Sequence, residues 1–573
     1  MKLPALLSGL FFFLAACSGE VPIRADVIYT GGTIYTGTEA DATVEAVAVG
    51  DGVIVYTGPM QGALDSTKSG ARIVTLPENA VMFPGFTDSH VHLSGIGQRE
   101  LTLNLDQVTS IEELKAKLLA YREAHPELDR IRGRGWIETH WPEGRFPTAA
   151  DLDEVAADIP VVLTRADGHA SVANTAALEA SGVTAETEPP SGGDILKTDD
   201  GEPSGMLIDN AMGLVGGLFT DPDAEDVREF VSTGFDVYAA RGWTGLHNMS
   251  VGATELDALQ ALALDDEIKL RTYNAVTPDQ LDAAINRSPR GHLLTTRAVK
   301  IYMDGALGSR GALLVDPYSD APGTTGLALR EKDETMTFFE RALDGNVQLA
   351  IHAIGDLGNK RALNWIGEAI STHETSEEDG SAEDEVGDDY RWRIEHAQIV
   401  KTEDQSKFAE NGIIASMQPS HAIGDLFFAP ARLGPDRLGT AYAWKDLMAE
   451  GAVIAGGSDA PVEVGDPIIE FYAATVRKGL NGYSDEDWHR DQALSRFEAL
   501  KLFTQNAAYA AFMEDELGTI EVGKRGDFSV FDQDLMQVGD DEILATKPLM
   551  TIVEGKAVWQ AEPIAERETE VSE

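Results

Sequence analysis

Four histidines, an aspartate and a lysine carry the chemistry this sequence offers. His90 and His92 stand two apart in Phe86-Thr87-Asp88-Ser89-His90-Val91-His92, and residues two apart in an extended strand point the same way. His352 follows Gln348-Leu349-Ala350-Ile351, His396 follows Arg393-Ile394-Glu395, and Asp459 follows Gly456-Gly457-Ser458, a turn that lets backbone approach closely. Neutral imidazole and carboxylate oxygen bind zinc and related divalent metals at about 2.0–2.2 Å. A His-x-His pair alone is weak evidence. The chain has 12 His, and four of them in this order after apolar runs point to a hydrolytic metal centre. Lys300 is the odd member, because an ammonium cannot ligate a metal and is costly to bury.

Those residues need elements that bring them to one place. From Met82 to about Leu517, strand-like runs alternate with helical segments, the pattern of an α/β protein with a parallel sheet. The runs are Met82–Thr87, Trp243–His247, Leu270–Val276, Ala298–Met303, Leu349–His352, Trp392–Glu395, Ile413–Met417 and Val453–Ala455. Eight such units predict a (β/α)8 TIM barrel over 82–517, with chemistry at the C-terminal ends of its strands. The candidate ligands then fall at the ends of strands one, four, five, six and eight. Residues 99–226 are too long for a simple connection and hold further strand-like runs, Ile131–Ile137 and Pro160–Arg165, so an insertion domain is expected over the barrel mouth. Short alternating runs in 26–81 read as a small antiparallel sheet, and 518–565 repeat the style; the two ends are expected to share a composite β-sandwich. Residues 374–389, rich in Glu, Asp, Gly and Ser, read as an acidic disordered loop.

The chain has 573 residues, 43% of them hydrophobic, enough for a large core. Its 45 basic and 96 acidic residues leave a net charge of −51, which argues against nucleic acid or anionic lipid as a partner. Residues 1–16 read as a secretory signal, too short to span a membrane as a helix. Leu14-Ala15-Ala16-Cys17 resembles the lipobox of bacterial lipoproteins, so Cys17 is a candidate lipidation site and 17–25 a tether. This would leave the protein exported and lipid-anchored in a bacterial cell envelope, at the periplasmic or outer-membrane face. Cys17 is the sole Cys, which excludes an intramolecular disulfide and a thiol nucleophile in the mature pocket; no Gly-x-Ser-x-Gly elbow is present either.

The order of Phe83-Pro84-Gly85-Phe86-Thr87-Asp88-Ser89-His90-Val91-His92, Lys300-Ile301-Tyr302-Met303-Asp304-Gly305, His352, Glu395-His396-Ala397 and Ser458-Asp459-Ala460-Pro461 resembles the amidohydrolase superfamily. It is most similar to the amidohydrolase 3 branch, which includes N-substituted formamide deformylases. The resemblance implies two divalent metal ions, zinc by default, with manganese, iron, cobalt or nickel fitting the same ligands. Lys300 would be carbamylated and bridge them; His90, His92 and Asp459 would hold one ion, and His352 and His396 the other. A metal-bound hydroxide would attack, with Asp459 as general acid and base. Family segments near the pocket suggest substrate contacts from His169, Asp304, Gln418 and His421, while His247 reads as a hydrogen-bonded structural residue. The implied function is an exported metal-dependent amidohydrolase cleaving a non-peptide C–N bond of a small molecule, an N-acyl or N-formyl amine or a cyclic amide. An esterase or lactonase on the same site, and a non-catalytic binding lipoprotein, stay open as alternatives.

Overall fold

The apolar runs that lead to the candidate ligands fold as the strands of one parallel barrel. The computed structural model describes residues 23–569 apart from 139–140, 167, 169, 191–192, 220–221, 288–291, 378–388 and 485–487. The barrel strands are β1 (Phe86–Val91), β2 (Trp243–Val251), β3 (Arg271–Val276), β4 (Leu294–Tyr302), β5 (Gln348–Ala353), β6 (Arg393–His396), β7 (Ile414–Met417) and β8 (Val453–Gly456). Each pairs in parallel with the next. The barrel closes just beyond β8, where Ala460 bridges in parallel to Val91. There the Asp459 amide donates to the His90 carbonyl at 2.7 Å, and the His92 amide to the Ala460 carbonyl at 2.8 Å. The seam that shuts the barrel is thus made from the backbone of three candidate ligands.

The expected first strand, Met82–Thr87, is in fact divided between two sheets. Val81–Pro84 pairs with Ala25–Tyr35 and Phe528–Phe531, and the barrel strand starts at Phe86. Pro84 has no N–H for a ladder, and Gly85 makes the crossing: a Cβ there would lie 2.2 Å from Thr244 Oγ1. A continuous apolar run carries no mark of where it changes sheet.

Both chain ends enter one nine-stranded sheet. It is mixed rather than the expected antiparallel, because Ala25–Tyr35 runs parallel to both Thr67–Thr75 and Val81–Pro84. Period-two alternation reports a half-buried strand but not its partner's direction. Val27, Tyr29, Val47 and Val49 share a core with Phe528, Val530 and Ile552. Across it, the Tyr29 hydroxyl donates to the Gly555 carbonyl at 3.1 Å, between residues 526 apart in sequence. Ala25, expected in the tether, already opens the first strand. Cys17 and the leader lie outside the described residues.

Between β1 and β2, strands from Leu103–Asn104 to Pro203–Asp209 form a separate six-stranded sheet with its own apolar cores. The chain returns through Ala224–Arg241, a helix with a capping box at Asp223 and Asp226 and a left-handed Gly242 at its end. One further correction concerns the acidic segment. Residues 374–377 continue the helix Asp356–Glu377 and so are ordered, while 378–388 lie outside the described residues.

Candidate metal centre

The barrel gathers His90, His92, Lys300, His352, His396 and Asp459 at the C-terminal ends of β1, β4, β5, β6 and β8. One ligand atom each from His90, His396 and Asp459 lie within 4.8 Å of one another. Asp459 Oδ1 is 3.3 Å from His92 Nε2 and 3.5 Å from His90 Nε2. The His90 and His396 ring centroids are 5.0 Å apart, and those of His352 and His396 4.5 Å. Lys300 is buried, with Nζ 3.2 Å from His90 Nε2. His396 and Asp459 both take left-handed backbone, φ 74° and 60°, rare for residues with a Cβ and common at functional sites.

A second layer fixes the rings. His90 Nδ1 donates to Glu395 Oε2 at 2.6 Å, which leaves Nε2 as the lone-pair nitrogen. Glu395 in turn is paired with Arg393, whose Nε lies 2.8 Å from Oε1 and whose Nη2 donates to Oε2 at 3.2 Å. The same guanidinium donates to His247 Nδ1 at 2.8 Å, to Ser416 Oγ at 2.7 Å and to the Ser89 carbonyl. His247 is therefore structural, as its sequence context suggests. His92 Nδ1 donates to the Met249 carbonyl at 3.1 Å.

Two expected substrate contacts turn out to belong to this supporting layer. Gln418 is buried, and its Oε1 accepts from His396 Nδ1 at 2.7 Å, so it orients a ligand. Asp304 is buried too, its carboxylate accepting the amides of Leu313, Ile354 and Gly355 at 2.8–3.0 Å. With both oxygens spent on backbone, it ties the loops after β4 and β5 together. His421 does line the cavity, in the helix Pro419–Asp425. His169 lies outside the described residues.

The electrostatics suit a divalent cation. Burial pushes His90 down to about 4 and holds His352 and His396 well below their ordinary value, with Lys300 adding to the effect, so these rings are neutral lone-pair donors. His352 Nε2 is buried with no hydrogen-bond partner, a cost of about 1–3 kcal/mol that a bound cation would remove. Burial works against the charge on Asp459, and the His90 and His92 rings beside it outweigh that cost, keeping it ionised. The donor set therefore fits one or more hydrolytic metal ions. Burial also lowers Lys300 to about 8, which makes its amine unusually available as a nucleophile.

Above the ligands lies a cavity of about 530 Å³. Its floor is the ligand set; the insertion contributes Asp106, Ile137, Arg165 and Ala166 to its roof. Three further residues shape the site. Glu395 and Arg393 flank a ligand in Arg393-Ile394-Glu395-His396, and period two puts both on one face, a signal that was available. Glu463 lines the cavity four residues after Asp459, where nothing in its surroundings in sequence marks it.

A model described as the amidohydrolase family matches residues 78–559. A Bacillus subtilis protein, YtcJ, whose name assigns it to the amidohydrolases, is 32% identical over 539 residues, covering 93% of this chain and 99% of that one. The N-substituted formamide deformylase of Arthrobacter pascens is 26% identical, covering 92% and 97%. Among solved structures, an uncharacterized metal-dependent hydrolase from Pyrococcus horikoshii superposes with a TM-score of 0.70 at 27% identity, covering 90% of this chain and 99% of its own.

Proposed function

The chain belongs to the amidohydrolase family, and on that premise we propose that it hydrolyses a non-peptide C–N bond in a small molecule, an N-acyl or N-formyl amine or a cyclic amide. The observation that carries this reading is the convergence of four imidazoles, a buried amine and an ionised carboxylate beneath a cavity walled mostly by apolar side chains. The deformylase relative, which acts on formamides by its name, supports the amide over the ester. Divalent ions held here would acidify a coordinated water and polarise the scissile carbonyl.

His90, His92 and Asp459 are assigned to one ion, zinc by default, and His352 and His396 to a second. Neutral Lys300 would attack CO2 through Nζ and lose a proton, and the resulting carbamate anion would offer its oxygens to the ions. The low proton affinity of its buried amine supports this assignment. Asp459 directs Oδ1 toward His92 and Oδ2 toward His421, 3.7 Å away. Its ionised carboxylate takes a proton from the attacking water and returns it to the leaving nitrogen. Gln418, Glu395 and Arg393 hold the rings in place, and the roof over the cavity limits access of bulk water.

Lys300→Ala is expected to lower metal content per chain and to cut turnover by about a thousandfold or more. Unchanged metal stoichiometry and turnover would remove Lys300 from the site. Matched amides and esters, assayed on metal-loaded enzyme, separate the amidase from the esterase reading. We also propose export and lipid anchoring through Cys17, supported by the leader sequence; among the described residues no helix is long and apolar enough to cross a membrane. Cys17→Ser is expected to move the protein from the membrane to the soluble fraction.

A further inference from the structure

The cavity is apolar on most sides, through Leu307, Ile354, Ile423, Phe427, Phe428 and Val462, but beside Asp459 three more carboxylates line it, Asp106, Asp425 and Glu463. They differ in how they are satisfied. Asp425 accepts from Gln398 Nε2 at 2.6 Å and from the Tyr442 hydroxyl. The Glu463 carboxylate has no hydrogen-bond donor among the described residues. His421 Nε2 lies 3.9 Å from Glu463 Oε1 and is itself buried without a hydrogen-bond partner, 3.7 Å from Asp459 Oδ2. His421 is only 9% exposed and faces the cavity between the two carboxylates.

The surroundings of Glu463 leave it without a counter-charge. Burial pushes its carboxyl up to about 7 against the pull of His421, and Asp425, Asp106 and Asp459 add to the rise. Among the described lining residues the cations are Lys300, on the floor, and Arg165, whose Nε is 2.8 Å from Glu138 Oε2. Its backbone, by contrast, is firmly placed. Buried Arg99 donates to the carbonyls of Glu463 at 3.1 Å and Val464 at 3.3 Å, and Trp243 Nε1 to that of Gly465 at 2.9 Å. A carboxylate on a firmly held backbone, facing an apolar cavity a single histidine away from Asp459, is placed to meet a positive group on the ligand.

We propose that Glu463 is the specificity-determining residue of this cavity, selecting amides whose apolar body carries a protonated amine close to the scissile bond. The ammonium would sit between Glu463 and the unpartnered His421 Nε2, donating to the carboxylate and accepted by the imidazole, while the apolar body fills the space under Phe427 and Phe428. This inference rests on the amide-hydrolase reading above.

The test compares two N-acyl benzylamines, one with a ring aminomethyl group and one with an ethyl group in its place, on metal-loaded enzyme. Wild type is expected to favour the ammonium substrate by about tenfold or more in kcat/KM, and Glu463→Gln to erase that preference, with Glu463→Asp retaining part of it. Calorimetry with the two free product amines supplies a readout independent of turnover: the diamine should bind more tightly than the ethyl analogue, and less so in Glu463→Gln. Melting temperature checks that the variants fold. An unchanged preference in Glu463→Gln, or no preference in wild type, overturns the proposal and leaves the hydrolase reading standing. Glu463-dependent diamine binding without hydrolysis of either amide sustains the cation site and overturns the hydrolase reading.

Discussion

At the scale of single residues, the site depends on pairs in which one side chain aims another. Glu395 is the clearest case, because its 2.6 Å contact with His90 Nδ1 decides which ring nitrogen faces the other ligands. Glu395→Gln should weaken metal binding by about 10–100-fold, measured by competition with a chelator, since an amide offers the ring no charged acceptor and leaves Arg393 buried without its carboxylate. Affinity within twofold of wild type would show that His90 holds its orientation alone. The convergence of the six candidate ligands was legible in the sequence because apolar strands leave such side chains conspicuous at their ends. Gln418 and Asp304 support the site instead of making the expected substrate contacts. Nothing in Ser416-Met417-Gln418 says whether an amide meets a substrate or a histidine, and the three backbone amides that occupy Asp304 come from segments 9 to 51 residues away.

At the scale of elements, the seam between β1 and β8 is a tight constraint on the candidate site. A Cβ on Gly457 would lie 2.5 Å from the His90 amide nitrogen and 2.9 Å from Asp88 Oδ1, which already accepts from the Ser458 and His90 amides. Gly457→Ala must push the strands apart; a loss of about 1–3 kcal/mol in stability is expected, with lower metal content, read by thermal melting and metal analysis. The insertion has its own test in the helix Ala149–Ala156. Burial acts to raise Asp151, but Arg145 and the Thr148 donors outweigh it and hold the carboxyl below its usual range. A folded value below the unfolded one stabilises above about pH 4 and loses that contribution as pH falls through the folded value. Asp151→Asn should therefore melt lower than wild type at pH 7, and the gap should shrink as pH falls below about 4. Strand existence was readable from apolar runs throughout the barrel. Strand membership was not, as Val81–Pro84 shows, since the decisive fact is the arrival of Phe528–Phe531 on its edge.

At the scale of the whole molecule, a net charge of −51 spread over one chain opposes compaction. Raising ionic strength from about 0.01 M to 1 M shortens the screening length from roughly 30 Å to 3 Å, so the melting temperature should climb with added salt. A flat response would mean that local pairing, such as Arg228 with Asp265 and Glu267, already neutralises the repulsion. The general plan, a barrel held between two chain ends, follows from the repetition of strand style at both termini. The parallel pairs within the shared sheet required the structure, because strand direction is settled by connections rather than by residues. That shared sheet also sets a clock. The hydrogen bond from Tyr29 to Gly555 joins residues 526 apart, and a ribosome adding about 5–20 residues per second needs roughly half a minute to two minutes to supply the second after the first. For that interval the opening strands exist without their closing partners, so the chain is born with an obligatory waiting time before its ends can lock.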